Sequence, residues 1–124
     1  MYRIQFIAHR DDETYPFFWE STDPEIVKLL DDIALATEQE KENFVWNERF
    51  KTTDGLTYIV NWVFDTQAHF EDFVDAIQTI NPELLDKRNA YFNTVGHSLY
   101  GKILDDDGDI IRKFAVTSNT LLDQ

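Results

Sequence analysis

Three histidines, His9, His69 and His97, are the side chains best suited to proton transfer or metal binding near neutral pH. No two stand at the i, i+4 spacing that would place both on one helix face, and neither HExxH nor HxH occurs. His9 falls at a strand end, His69 in the first turn of a helix and His97 just after Gly96, so capping and surface roles are expected of them. Asp105, Asp107 and Asp109 have the alternating spacing that opens a calcium loop. The position that needs Gly is Ile110 and the one that needs Glu is Val116, so this run reads as a solvated hairpin turn. There is no cysteine, which removes thiol nucleophiles, thiolate metal sites and disulfides. Ser21, Ser98 and Ser118 lack the setting of a nucleophile elbow, and no Gly-rich phosphate loop or dinucleotide fingerprint is present. The expectation is a chain with no metal and no cofactor; whether it is an enzyme stays open.

What remains is a mixed aromatic and basic set, and a hairpin is what would assemble it. Asp54-Gly55 separates two alternating segments, 42–53 and 56–65, which read as strands. The dipeptide suits a two-residue type I′ turn with positive φ at both central residues. That turn sets Trp46 opposite Val63, Glu48 opposite Asn61 and Phe50 opposite Ile59. With Phe44, these form a mostly apolar side suited to lie under helices. The other side carries Val45, Asn47, Arg49 and Lys51 against Phe64, Trp62, Val60 and Tyr58. Because side chains alternate, a one-residue slip would recombine the two sets.

The second side gains Arg3, Gln5 and His9 from the first strand, and Tyr100 and Lys102 from the strand after the third helix. Four of the eleven basic residues (Arg3, Arg49, Lys51 and Lys102) would converge there, on a chain of net charge −13. Flat apolar walls with a few convergent polar groups suit a small aromatic or anionic molecule. The candidate ligand-binding residues are therefore Asn47, Arg49, Tyr58 and Trp62, with Arg3, His9 and Tyr100 at the rim. The same face would also suit a second copy of the chain, giving a homodimer.

The elements that must position these residues have clear punctuation. Residues 1–9 alternate as a strand, with Tyr2, Ile4, Phe6 and Ala8 on one side. After a polar turn at 10–13, the aromatic stretch 14–20 is interrupted by Pro16 and reads as an edge strand or packed loop. Asp23-Pro24-Glu25 combines an N-cap acid, Pro at the first helical position and an acid near the positive dipole end. That helix carries Ile26, Val27, Leu30, Ile33 and Ala34 and is expected to end near Gln39. Asp65 or Thr66 caps a second helix with Phe70, Phe73, Val74 and Ile77 in one stripe. Asn81-Pro82-Glu83 starts a third, running to about Asn93, with Leu84, Leu85, Phe92 and the stem of Arg88 turned inward and Gly96 ending it. Strands at 98–104 and 109–116 flank the turn 105–108. The domain is expected to span 1–116, with a C-terminal tail at 117–124.

A chain of 124 residues fits one domain and can bury roughly two-thirds of its unfolded surface. The strong negative charge works against binding nucleic acid backbones or anionic lipid, so neither nucleic acid nor membrane is expected as a partner. The N-terminus lacks the continuous apolar core of a signal peptide, and no apolar run approaches ~18 residues, so a cytoplasmic location is expected. Acid pairs such as Asp31-Asp32 and Glu71-Asp72 read as solvated charge. The charge also admits a second function class, a non-catalytic acidic protein that binds a basic partner; a structural dimer subunit is a third.

The element order β-α-β-β-α-(α)-β-β predicts an α+β fold: a ferredoxin-like antiparallel sheet with helices on one face, an extra helix and a C-terminal hairpin. Within it, Tyr58-Ile59-Val60-Asn61-Trp62-Val63-Phe64 followed by Thr66-Gln67-Ala68-His69-Phe70-Glu71-Asp72-Phe73 resembles the strand-then-helix segment of the dimeric α+β barrel superfamily. Its antibiotic-biosynthesis-monooxygenase-like and haem-degrading members are included, and the likeness covers about residues 42–104. The resemblance implies two protomers packed sheet to sheet, with a ligand cavity between sheet and helices or within the barrel. It also implies, for monooxygenase-like members, cofactor-free oxidation of an aromatic substrate, with Asn61, Trp62 and His69 placed to position substrate and oxygen.

Overall fold

The computed structural model describes residues 1–36, 44–79 and 82–117 of the chain. β1 (Tyr2–His9) leads through a loop and a short 3-10 turn (Phe18–Glu20) into α1 (Pro24–Ala36). β2 (Phe44–Lys51) and β3 (Thr57–Phe64) form a hairpin, followed by α2 (Gln67–Thr79) and α3 (Pro82–Val95). β4 (Ser98–Leu104) and β5 (Ile110–Ala115) follow. The expected helix end at Gln39, the strand start at Glu42, the cap Asn81, Ser118 and the tail from 118 lie outside the described residues. So do the side chains of Phe44, Trp46 and Ile77.

The caps form as their chemistry requires. Asp23 Oδ1 accepts the amide of Glu25 at 2.9 Å, and Thr66, rather than Asp65, supplies the second cap by accepting the amide of His69 at 3.2 Å. At the end of α3, Gly96 takes φ +76°, which lets its amide reach Asn93 O and the His97 amide reach Phe92 O at 2.9 Å. These are the paired bonds of a Schellman motif, and α3 therefore runs two residues past Asn93.

All strand pairs are antiparallel, in the order β2-β3-β1-β4-β5. Among the described residues this is an α+β fold with a five-stranded open sheet and three helices, compatible with a ferredoxin-like plan extended by β5 at one edge. One sheet face, here the near face, carries Ile4, Phe6 and Ala8 of β1, Val60 and Phe64 of β3 and Leu99 of β4 into the core. Phe70 and Phe73 of α2, Leu29 of α1 and Phe92 of α3 meet them there. Phe73 lies 4.9 Å from the ring of Phe64 and 5.4 Å from that of Trp62. The aromatic stretch 14–20 is a packed loop: Phe17 and Phe18 are fully buried, and Trp19 stacks on Tyr58 at 5.4 Å.

The hairpin register is as expected: Trp46 pairs with Val63, Asn47 with Trp62, Glu48 with Asn61, Arg49 with Val60 and Lys51 with Tyr58. The turn is not. Only Gly55 has positive φ, so the dipeptide does not form a type I′ turn. The Gly55 amide reaches Thr52 O and the Thr52 amide reaches Thr57 O, giving a longer connection about the same centre. A longer loop centred on the same two residues preserves the pairs from Trp46–Val63 to Lys51–Tyr58; beyond them a bulge sets Phe44, not the expected Val45, opposite Phe64.

The assignment of the two sides is reversed. Tyr58, Val60, Trp62 and Phe64 face the helices, and their β2 partners Asn47, Arg49 and Lys51 lie on that same near face. Glu48, Phe50, Ile59, Asn61 and Val63 lie on the far face. β2 is an edge strand whose Asn47, Arg49 and Phe50 are all exposed, so its polarity does not report which side is covered. The inner strand β3, with four large apolar residues on one side, decides it.

Candidate functional site

Three antiparallel ladders place one row of polar side chains across the middle of the far face. Glu48, Asn61, Gln5 and Lys102 stand opposite one another on β2, β3, β1 and β4. Gln5 Nε2 donates to Asn61 Oδ1 at 2.9 Å, and Asn61 Nδ2 donates to Glu48 Oε1 at 2.8 Å. Asn61 is only 2 % exposed, so these bonds satisfy a polar group that burial would otherwise penalise. Flanking this row on one side are Phe50, Ile59, Ile7 and Tyr100; on the other, Val63, Arg3 and Leu104. Burial pushes the Tyr100 phenol up, which keeps it a neutral hydroxyl, and Lys102 Nζ lies 5.9 Å from its ring centroid.

Arg3 is the unusual member. Its Nε is buried and has no hydrogen-bond acceptor among the described residues. A donor held from water without an acceptor costs about 1–3 kcal/mol, and more where the group is charged.

The sequence-predicted residues divide between the two faces. Arg3 and Tyr100 share the far face with Lys102, and His9 lies at its end, with Nδ1 3.1 Å from Thr57 Oγ1. Asn47, Arg49, Tyr58 and Trp62 are on the near face, so the seven do not meet in one site. Tyr58 packs on Phe17 and Trp19, and Trp62 on Phe73, both as core side chains. Arg49 is exposed at the edge, and Lys51 pairs with Glu20 at 3.1 Å. Asn61 and Trp62 point to opposite faces, and His69 sits at the start of α2, 3.4 Å from Asp65. The trio that the family resemblance implies is therefore not gathered.

Two features have no counterpart in the sequence reading. Arg10, assigned to a polar turn, is 5 % exposed. Its Nε and Nη2 both donate to Gly55 O, at 3.0 and 2.8 Å, and its Nη1 donates to Tyr15 O at 2.7 Å. Its guanidinium lies 4.2 Å from the ring centroid of Phe17, which joins the β2–β3 turn to the aromatic loop. His97 is buried with Nδ1 unpartnered among the described residues. No local pattern signals either, because both depend on segments distant in sequence.

The carboxylates of Asp105, Asp107 and Asp109 come within 4.8 Å of one another. Asp105 Oδ1 already accepts the amides of Asp107 and Asp109 at 3.0 and 2.9 Å, as a turn-forming aspartate does. On α3, burial pushes the Arg88 guanidinium down to about 10, and its Nε donates to Asn89 Oδ1 at 3.2 Å. Among the described residues, no helix is long and apolar enough to cross a membrane. Compared with known proteins, the chain matches no family model, no curated protein and no solved structure.

Proposed function

We propose that this chain is a small binding domain of the ferredoxin-like type that holds a small anionic, preferably aromatic, molecule on the far face of its sheet. The observation that carries this reading is the buried Arg3 Nε without an acceptor among the described residues, on the face that also presents Lys102 and Tyr100. An anion there would accept from Arg3, lie near Lys102 and rest a flat apolar part against Tyr100 and Ile59. Catalysis is not part of the reading, because Asn61, Trp62 and His69 are apart.

The same face supports pairing with a second copy in the manner of an α+β barrel. Phe50 and Ile110 are 46 % and 47 % exposed there, beside the half-buried Ile59, Tyr100 and Leu104. Packing two such faces would also bring like cations together, and an enclosed anion would relieve that repulsion. A basic macromolecular partner is the alternative, favoured by the net charge of −13 and by exposed acids on the helices such as Asp31, Glu71 and Asp72.

The test is a fluorescence titration with 8-anilinonaphthalene-1-sulfonate, an aromatic anion, alongside light scattering on the same sample. Arg3→Met and Lys102→Met should each weaken binding about tenfold or more, as loss of a charge-assisted contact does, while Arg49→Met leaves it unchanged. A mass near twice 14.6 kDa would support the barrel. Equal weakening by all three substitutions, or association only with basic proteins and only at low salt, would overturn the reading in favour of the acidic interaction module.

A further inference from the structure

At the end of the sheet where β1 stops and β4 begins, the loop 10–17, the β2–β3 turn and the end of α3 come together around His97. The Schellman motif fixes its backbone, and its ring lies 5.5 Å from that of Phe17 and 6.4 Å from those of Tyr91 and Phe92. It is 3 % exposed, and Nδ1 is buried with no partner among the described residues. A neutral imidazole fills this place as an aromatic ring does. An imidazolium would need an acceptor on each nitrogen, and Nδ1 has none there.

The aromatic loop is held at the same place. Tyr91 donates its hydroxyl to Pro16 O, Arg10 donates to Tyr15 O, and Phe17 contacts both the Arg10 guanidinium and His97. We infer that His97 is an acid-sensitive latch: its neutral ring holds the loop 14–20 against Tyr58, and its protonation releases that loop and bares an aromatic surface. The surface released comprises Phe17, Trp19 and Tyr58; in the closed form the Tyr58 ring is stacked on Trp19 and lies tilted against Phe17.

The charged and titratable neighbours set the sign. From the loop after β1, Arg10 opposes a second cation, and its own partner Glu13 is 3.6 Å from it. His9 at the end of β1 opposes it too, whereas Asp12 favours it. Hydrogen bonds from Thr14 hold Asp12 below its usual value, so it is ionised throughout the range, but it is exposed and already engaged. From α3, burial pushes the Tyr91 phenol up, which leaves it neutral; Tyr58 of β3 meets Phe17 across the ring cluster. Burial first, then Arg10, holds His97 below its ordinary value of 6.5. A lowered folded-state value means the closed loop is fully favoured above 6.5 and loses stability as pH falls from there through the lowered value.

The experiment follows the intact chain by NMR from about pH 7.5 to about pH 5, reading the His97 ring resonances and amide protection factors together. Protection of the Glu20 amide, which donates to Phe17 O, should drop about tenfold for each unit by which the His97 value is lowered. Amides of β1 and β3 should keep theirs, and His97→Gln should abolish the pH dependence, which separates His97 from His9 and Asp12. The latch is refuted if His97 titrates while Glu20 stays protected, or if His97→Gln leaves the pH response unchanged. Because the wild-type chain alone gives the first readout, the result stands even if the variant folds poorly. Neither readout uses the far face, so a failed latch leaves the anion site untouched.

Discussion

On the near face of the sheet, Val60 and Phe64 are closed over by Phe70, Phe73 and Phe92, and the polar side chains Asn47 and Arg49 stand exposed on the edge strand β2. On the far face, Asn61 is equally buried, yet it is held by a chain of side-chain hydrogen bonds through Gln5 and Glu48, with Arg3 left over. Both faces come from the same alternating strands. The difference teaches that burial on one is sustained by packing, which is insensitive to what a partner offers. Burial of Asn61 on the other rests on directed polar bonds, with one neighbouring donor unmatched among the described residues.

The comparison is sharpened most by paired truncations. Phe64→Ala removes a fully buried ring and should cost about 3–5 kcal/mol in urea unfolding, whereas Phe50→Ala at the exposed edge should cost less than about 0.5 kcal/mol in the monomer. A large cost for Phe50→Ala that grows with protein concentration would mean the far face is covered by a second copy.

Next in size are the two arginines. Arg10→Met strands Gly55 O and Tyr15 O and should cost roughly 2–4 kcal/mol. Arg3→Met removes an unmatched donor, and thermal unfolding should show no loss, or a gain of up to about 1 kcal/mol. An equal loss in both would erase the distinction between the faces. Asn61→Ala should cost about 1–2 kcal/mol, and the smallest effect is expected from Glu48→Gln, nearly silent because an amide oxygen can still accept from Asn61. If Asn61→Ala matched Phe64→Ala, the polar row would have to be counted as core.

Much of the fold was legible because it is written in local chemistry. Asp23-Pro24 and Thr66 cap helices wherever they are followed by an amphipathic stripe, and Gly96 ends one because its backbone reaches φ +76° without a Cβ penalty. The hairpin register followed from the position of Asp54-Gly55, even though the turn itself took another form. Of the candidate site, Arg3 and Tyr100 were placed on one face correctly with Lys102, because strand alternation is strict. Asn47, Arg49, Tyr58 and Trp62 were placed on the wrong one. Nothing local distinguishes a Trp that faces helices from one that faces solvent or a partner.

The sequence by itself determined the order of the described strands and helices, the caps that start α1 and α2, which residues within one strand share a side, and the strong negative charge, since each depends on neighbours in the chain or on composition alone. Tertiary structure decided which side the helices cover, that Arg10 ties Gly55 to Tyr15 from 45 and 5 residues away, and that His97 meets Phe17. The physical reason is that these contacts are made by segments far apart in sequence, and their energy comes from desolvation, which only the assembled packing sets.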